Sequence, residues 1–511
     1  MTSVPLWDLA IVGAGQSAKA LLMSLAQARA LDKLPAKALS VVIFTDSTQL
    51  GSGFAWDENH VHSSHLSSLA NAYPRGKFGA EEHQRFEALR NHLHGQNVHV
   101  EVVFKRASAI RQQVKHWQIS DEAGAVSAAH HLVLAMGYSA FTMRELKAAA
   151  PCFATWPFMP MVENVAEIIQ HNRASAKISI VGGYLTAVDA VCGIAESLGK
   201  FSLNNGTMTY VTDHQYKLDW YTKDGFLPKV WGKEPGAFKG KHLNWGKVRV
   251  MLDALPPAGN IPLQELIGLI MLELASEGIT NFDDSQCAIS QFITWLRSGH
   301  QGHPHKVLQK DLESVLGNDN VPIQYEHAKP LMWQQILFGT LPMFSELSAR
   351  LSQQDKLQFK QHIRAWYYLS AMPMALVNAG RIEALLRSGF LEICEHDSYA
   401  GTTKPDTSSG DVSAVINATG FDTNIRNSPL PLVQQMMTDG IIVPQSLDDA
   451  QQHFSGIEVN PDNCRLINDR QDDGCRAYAM GPLLAGTFVD AQSIGHIHRD
   501  AARIVNDLCN G

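Results

Sequence analysis

Leu9-Ala10-Ile11-Val12-Gly13-Ala14-Gly15-Gln16-Ser17-Ala18 is the segment that most constrains what this chain can fold into. A short apolar run of this kind reads as a strand buried on both faces, as in a parallel sheet. The Gly13-x-Gly15-x-x-Ala18 spacing then turns the chain into a helix predicted over Lys19 to about Ala28. Gly13 permits the tight turn, Gly15 lets a pyrophosphate approach the main chain, and Ala18 is small enough for the helix to pack on the strand. The helix N-terminus presents unpaired N–H groups and a partial positive charge. Gln16 and Ser17, at its start, therefore join Gly13, Gly15 and Ala18 as candidate cofactor-binding residues. A strand before the glycines and a helix after them is the context that separates a dinucleotide site from a glycine turn without a ligand.

The next elements fit that reading. Ser40 to Phe44 is predicted to be the second parallel strand, where an acid at the strand end bonds the ribose hydroxyls of a dinucleotide. Thr45 follows the strand and Asp46 comes one position later, so Asp46 is either a ribose ligand or a loop residue capping the next turn. Leu50-Gly51-Ser52-Gly53-Phe54-Ala55-Trp56 is a glycine-bearing loop able to close over a cofactor, with Gly53 as its candidate contact. Strand-like alternation follows over Val98 to Phe104 and His116 to Ser120, and His131 to Gly137 is a buried strand ending in Ala-Met-Gly. Gly137 completes an A-x-G strand end in which Met136 stands for the usual Thr.

A second strand–turn–helix begins at Lys177-Ile178-Ser179-Ile180-Val181-Gly182-Gly183-Tyr184-Leu185-Thr186-Ala187-Val188-Asp189. Its candidate contacts are Gly182, Gly183 and Thr186. Thr207 to Thr212 is predicted to be its second strand, with Asp213 at the end, an acid that would repel a 2′-phosphate and suit NADH better than NADPH. Two such units in one chain suggest one site for FAD and one for a nicotinamide. Tyr184, however, occupies the position of the second fingerprint glycine, unless a one-residue shift lets Gly183 take that role. A retained strand–turn–helix with no ligand stays open beside nicotinamide binding.

From about Pro262 to Phe390 the apolar spacing turns helical: Leu263 to Ser276, Cys287 to Arg297, Lys306 to Leu316, Met332 to Leu351, Leu357 to Ala371 and Met374 to Ser388. This reads as a helical insertion shaping a substrate pocket, with Trp295, Trp333, Trp366, Tyr367 and Tyr368 as core residues or substrate contacts. A strand over Phe390 to Cys394 and a polar surface loop over Thr402 to Gly410 follow. Ser413 to Phe421 supplies a full A-T-G strand end at Gly420. The last strand, Ala477 to Leu483, enters a turn at Gly481-Pro482; Thr487 and a helix over about Ser493 to Leu508 follow, and in FAD-binding folds such a last strand and helix return to the first dinucleotide unit, where helix amides meet a pyrophosphate or flavin.

Bulk properties exclude several classes. The 511 residues carry 42 Lys and Arg against 50 Asp and Glu, a net charge of −8, which offers no electrostatic footprint for nucleic acid or an acidic membrane. The composition is that of a folded chain, 45% hydrophobic and 18% charged. The seven scattered cysteines form no C-x-x-C pair and read as reduced thiols, and no signal peptide is expected, so the localisation expected is cytoplasmic. Ile261 to Ala275 is short for a membrane span and carries Glu265 and Glu273. His60, His62 and His65, and likewise His300, His303 and His305, match no familiar metal spacing, so no metal is expected.

Taken with I-V-G-A-G-Q-S-A at Ile11 to Ala18, L-G-S-G-F-A-W at Leu50 to Trp56, L-T-A-V-D at Leu185 to Asp189, I-N-A-T-G at Ile416 to Gly420 and Y-A-M-G-P-L at Tyr478 to Leu483, the chain resembles the FAD/NAD(P)-binding oxidoreductases related to flavin-dependent, N-hydroxylating-type monooxygenases. The resemblance implies an α/β, two-dinucleotide-binding-domain flavoprotein with Rossmann-like FAD and NAD(P) units and a large helical insertion. Residues 1–150 and 400–511 would form a discontinuous FAD domain, 151–255 the second Rossmann-like unit, and 256–399 the helical substrate region. FAD would lie on the first unit, and NADH or NADPH would reduce it. The implied activity is that of an NAD(P)H-driven monooxygenase of a small amine-bearing or aromatic metabolite. Two alternatives stand beside it: a flavoenzyme with a lost nicotinamide site, reduced by its own substrate or a partner reductase, and a non-catalytic flavoprotein or partner-binding scaffold. The chain departs from the family at Tyr184, lacks an Arg after Thr212, lacks the F-x-G-x-x-x-H-x-x-x-W/Y signature of some members, and has His65-Leu66-Ser67-Ser68-Leu69-Ala70 where L-L-N often stands near the flavin. No catalytic residue can be nominated from these patterns.

Overall fold

In a computed structural model of the chain, residues 4–510 are described apart from 35–36, 63–64, 67–72, 147, 149, 173–174, 234–237, 257–258, 318–320, 397–411, 447–452 and 468–474. Two compact units emerge: residues 1–58, 77–142 and 421–511 form the first, residues 59–76 and 143–420 the second. The polar loop at Thr402 to Gly410 and residues 67–70 of the His65 stretch lie outside the described residues.

The first unit begins with β1 (Leu6–Val12), α1 (Gln16–Ala30) and β2 (Leu39–Phe44), followed by α2 (Arg75–Gly95, of which Lys77 onward belongs to this unit), β3 (Val98–Val103), β4 (Ala107–Gln112), β5 (Trp117–Asp121) and β6 (Val126–Leu134). β3, β2, β1 and β6 lie side by side in parallel, and β5 and β4 continue the sheet antiparallel. Leu9, Ala10, Ile11, Val41, Val42, Ile43, Leu132 and Val133 are all 2% exposed or less, which is why these strands read as unbroken apolar runs. α1 starts three residues earlier than its apolar pattern indicates, because Gln16 and Ser17 are buried as its first turn.

After β7 (Thr142–Met143), where the chain passes from one range to the other, the second unit runs through β8 (Cys152–Ala154), α3 (Phe158–His171), β9 (Ala176–Val181), α4 (Leu185–Leu198), β10 (Lys200–Asn204), β11 (Thr207–Val211) and β12 (Tyr216–Lys223). The helices α5 (Trp245–Ala254), α6 (Leu263–Ser276), α7 (Ala288–Ser298), α8 (Pro304–Leu316), α9 (Met332–Ser348), α10 (Gln353–Gln358), α11 (Arg364–Ala371) and α12 (Leu376–Arg387) follow, before β13 (Leu391–His396) and β14 (Val412–Asn417). Its five-stranded sheet has the order β13-β12-β9-β14-β8, parallel throughout. The helical series is thus spliced between two neighbouring strands of this sheet. The predicted single helix over Leu357 to Ala371 is broken into α10, a π-helical turn over Phe359–Ile363, and α11.

Two expectations are corrected here. Thr207 to Val211 is not the second parallel strand: β11 pairs antiparallel with β10 in a two-stranded hairpin, so Asp213 stands beyond that hairpin and not at the end of a parallel strand. The parallel neighbour of β9 is β12, which ends in the basic residue Lys223. Gly420 follows β14, whose partners are β9 and β8, so this A-T-G strand end accompanies the second turn and not the first.

The chain then completes the first unit with β15 (Phe421–Asp422), α13 (Pro431–Thr438), β16 (Pro444–Ser446), β17 (His453–Ile457), β18 (Ala477–Ala479) and α14 (Ile494–Cys509). β18 pairs in parallel with the C-terminal half of β6, Ala477 opposite Leu132 and Ala479 opposite Leu134. Among the described residues no helix is long and apolar enough to cross a membrane. α6 is amphipathic instead, and its buried Glu273 accepts the Leu243 N–H at 2.6 Å. None of the seven cysteines is paired in a disulfide.

His300 in the second unit is 1% exposed, with ring centroids 5.5 Å from Phe226 and 6.3 Å from Trp366. Burial, reinforced by the Lys229 ammonium, lowers its pKa to about 3. The unfolded chain takes up a proton near pH 6.5 that the folded chain refuses, so this residue's contribution to stability is whole above that pH and is lost as the pH falls toward 3. Between pH 7 and pH 5 the loss from this one residue is expected to be about 2 kcal/mol. Urea unfolding at the two pH values checks this, because His300→Phe should flatten the dependence by that amount. A variant as acid-sensitive as the wild type would contradict the assignment.

Candidate functional site

The first turn is built from close main-chain approaches. Gly13 has φ +105°, and a Cβ there would lie 2.4 Å from the Ala135 carbonyl oxygen. Its N–H donates to the Phe44 carbonyl at 2.8 Å, so the turn is clamped to the end of β2 and against the strand end of β6. Gly15 is the N-cap of α1 and no side chain caps that helix, nor is there an acid in its first turn. The loop after β2 closes over the turn: the Gly51 N–H donates to the Ala14 carbonyl at 2.7 Å, and a Cβ on Gly53 would stand 3.8 Å from Gly15 Cα. From the C-terminal segment, Gly481 (φ +66°) opens a 3-10 turn over Gly481–Leu484 and comes so near Ser17 that its Cβ would lie 3.1 Å from Ser17 Oγ. Pro482 is at the start of that turn.

Of the sequence-proposed contacts, Gly13, Gly15, Gln16, Ser17, Ala18, Gly53, Gly481 and Pro482 therefore come together around the N-terminus of α1, and Gly137 (φ +59°) follows the strand end that Gly13 packs on. Ala18 is fully buried, which fits its part in seating the helix on the sheet. Thr487, 5% exposed, has a buried hydroxyl oxygen with no hydrogen-bond partner in the protein. Asp46 lies just past β2 but is paired with Arg106, whose Nε donates to its Oδ2 at 2.6 Å. Gly420 lies with the second unit, as above.

Sequence reasoning missed two features. Phe54, Tyr138 and Phe421 form one aromatic group, with Tyr138 stacked on Phe421 at 4.8 Å and Phe54 edge-on to both at 6.1 and 5.6 Å. Each follows a glycine of positive φ, Gly53, Gly137 and Gly420, so a repeated Gly-aromatic pair was the signal available in the sequence. The second is a buried ionic cluster under the first turn of α1. Gln16 Nε2 donates to Glu82 Oε2 at 2.8 Å, and Glu82, 2% exposed, also pairs with Lys19 and Arg85. Nothing in the local pattern of Glu82, far along the chain, announces this.

The second turn copies the first in its main chain but not in its mouth. A Cβ on Gly182 would lie 2.2 Å from the Ala418 carbonyl oxygen, as Gly13 stands against Ala135. Gly182 accepts a hydrogen bond from the buried Trp220 indole at 2.6 Å. Tyr184 is the N-cap of α4, the place Gly15 holds on α1, so Gly183 corresponds to Ala14 and does not supply the missing glycine. Thr186 lies half-buried in the first turn of α4. Asp189, on the same helix, is held by Arg75 at 2.8 Å; burial raises its pKa to about 6 against the opposing pull of that guanidinium. Gly183, Tyr184, Lys223, Phe226, Ala365, Trp366 and Leu369 line a cavity of about 10 Å³. His65 is fully buried with its ring 3.8 Å from that of Phe158. Among the described residues no group of three or more His, Cys, Asp or Glu side chains is arranged to hold a metal ion.

No protein-family model and no curated protein matches the sequence. Solved structures do match in chain layout. The ornithine hydroxylase of Pseudomonas aeruginosa is 12% identical, with 99% of each chain covered and a TM-score of 0.46. A flavin-containing monooxygenase from Stenotrophomonas maltophilia is 12% identical over 99% of each chain, TM-score 0.45, and the L-lysine 6-monooxygenase of Pseudomonas syringae is 12% identical over 99% of each chain, TM-score 0.43. At such identities and with TM-scores below 0.5, these likenesses assign this chain neither a family nor a substrate.

Proposed function

We propose that the chain is an FAD-dependent oxidoreductase acting on a small organic molecule, with the cofactor held by the first unit. The observation that carries this is the convergence on one turn of an uncapped helix N-terminus, the Gly53 loop and the Gly481 turn. Such a helix end is an anion site by itself. A second glycine turn, arriving from the far end of the chain, suits a ligand that continues beyond a pyrophosphate. The orphaned Thr487 hydroxyl fits as well, since a buried donor without an acceptor is costly and a polar ligand atom would satisfy it.

In this reading the amides of Gln16, Ser17 and Ala18 hold the pyrophosphate, and the Gly481-Pro482 turn and Thr487 hold the ring end. The aromatic group of Phe54, Tyr138 and Phe421, with Phe54 edge-on to the stacked pair, would exclude water beside it. When bound, the flavin supplies two-electron chemistry with the organic substrate and with O2, while the protein supplies orientation. Monooxygenation of an amine-bearing or aromatic metabolite is the form of this chemistry proposed here. Tyr184 favours the version in which the flavin is not reduced through a nicotinamide at the second turn. A scaffold without catalysis is the outcome left if no flavin is retained.

Purified full-length protein is expected to be yellow, or to become so on incubation with FAD, and to release FAD on denaturation. Rapid mixing with candidate reductants, NADH and NADPH among them, then reports loss of the flavin's visible band. A protein that stays colourless and cannot be loaded overturns the proposal.

A further inference from the structure

The second turn keeps the glycine that its own sheet requires and has lost the glycine a dinucleotide requires. Gly182 is demanded by the Ala418 carbonyl whether or not a ligand binds. The N-cap position, where a bare main chain would let a pyrophosphate approach, carries the Tyr184 side chain instead. What faces it is fixed. Trp366, 6% exposed, is held by Phe226 at 5.1 Å and lies under the Arg297 guanidinium at 5.1 Å. The end of α11 is tied by main-chain hydrogen bonds: Lys229 N–H donates to the Leu369 carbonyl at 3.0 Å, and Met374 N–H returns to the Lys229 carbonyl at 2.7 Å. The pocket left between these groups is partly open to solvent and holds only about 10 Å³. Asp213, the acid that would have read a ribose, stands past the β10–β11 hairpin.

We infer that the second strand–turn–helix unit excludes nicotinamide dinucleotides, and that Tyr184, backed by Trp366, is the residue that excludes them. The nicotinamide implied by the two-unit layout does not fit the residues present. The unit serves as the platform on which α11 is anchored, and the flavin receives electrons from a donor that does not dock at this turn. The last clause rests on the flavin reading; the exclusion does not.

Equilibrium dialysis of the full-length protein against NADH and against NADPH, after incubation with FAD, tests this without using the flavin's colour. The wild type is expected to show no saturation at millimolar nucleotide, and Tyr184→Phe is expected to behave the same. Tyr184→Gly, alone or with Trp366→Ala, is expected to bind at least about tenfold tighter, a change of about 1.4 kcal/mol. Saturable binding of one equivalent by the wild type overturns the inference. So does a folded Tyr184→Gly protein, judged by its melting temperature, that binds no better. Should the double variant fail to fold, the wild type and the single variant still decide. FAD released from the same preparations is measured separately, so a protein without flavin would sink the proposed function and leave this result standing.

Discussion

The Gly13→Val variant is expected to purify without flavin and to unfold about 3 kcal/mol more easily than the wild type. A Cβ at this position would sit 2.4 Å from the Ala135 oxygen and 2.8 Å from its carbonyl carbon, both main-chain atoms just past the end of β6, where the Ala135 N–H is held by the Val12 carbonyl at 2.9 Å. The backbone at φ +105° adds strain for any residue with a side chain. Overpacking and forced backbone each cost about 1–3 kcal/mol. Gly15 provides the contrast. Its φ of −83° suits any residue, and a Cβ would meet Gly53 Cα at 3.2 Å, a contact that a shift of a few tenths of an ångström relieves. Gly15→Ala should therefore stay within about 1 kcal/mol of wild-type stability while retaining FAD at least tenfold more weakly. Urea unfolding and quantification of released FAD on both variants check the pair. A stable, flavin-loaded Gly13→Val protein would refute the described turn.

Glu82→Ala is expected to be the most damaging side-chain substitution in the first unit, at about 3–5 kcal/mol, because removing one partner of a buried ion pair leaves the other charge uncompensated. Glu82 is 2% exposed and Lys19 8% exposed, and Glu82 also holds the Gln16 amide at the first turn of α1. The loss should extend to FAD retention, since the helix end that presents its amides is anchored through Gln16. Lys19→Met combined with Glu82→Met replaces the pair by apolar groups of similar length and is expected to recover most of the stability, as buried pairs often yield to packed hydrophobes at little cost. Thermal unfolding of the single and double variants separates the two effects. If Glu82→Ala melts like the wild type, the pair does not anchor the helix.

Both substitutions act on the same few residues, yet they differ in how legible they were. Gly13 and Gly15 are visible in sequence because a β-strand, a two-glycine turn and a helix are all local, and each glycine's purpose follows from the steric demands of one turn. The helices over Leu263 to Ser276 and Met332 to Ser348 were legible for a similar reason: apolar residues recur at helical spacing where one face is buried. The break in the helix before Trp366 was not, because apolar spacing alone does not distinguish an α turn from a π turn.

Strand partners were the main loss. Thr207 to Val211 and Tyr216 to Lys223 both have strand composition, and only pairing shows that the first folds back on β10 while the second lies beside β9. Pairing is a long-range property, so moving the parallel strand from one to the other replaced Asp213 by Lys223 at the strand end. The A-T-G at Ala418 to Gly420 illustrates the same limit, since its sequence is equally suited to either sheet and only the register with β9 assigns it to the second.

By itself the sequence determined that two strand–turn–helix units exist, that the first carries the glycines a dinucleotide needs, and that the second carries a tyrosine in place of the second of them. These are statements about short spans, where sterics and periodicity act between near neighbours. The tertiary structure alone decided which carbonyl each turn glycine packs against, which aromatic residues gather beside the first turn, and that α11 closes over the second. Those depend on residues brought together from segments far apart in the chain, as Trp366 is with Tyr184 and Glu82 with Gln16.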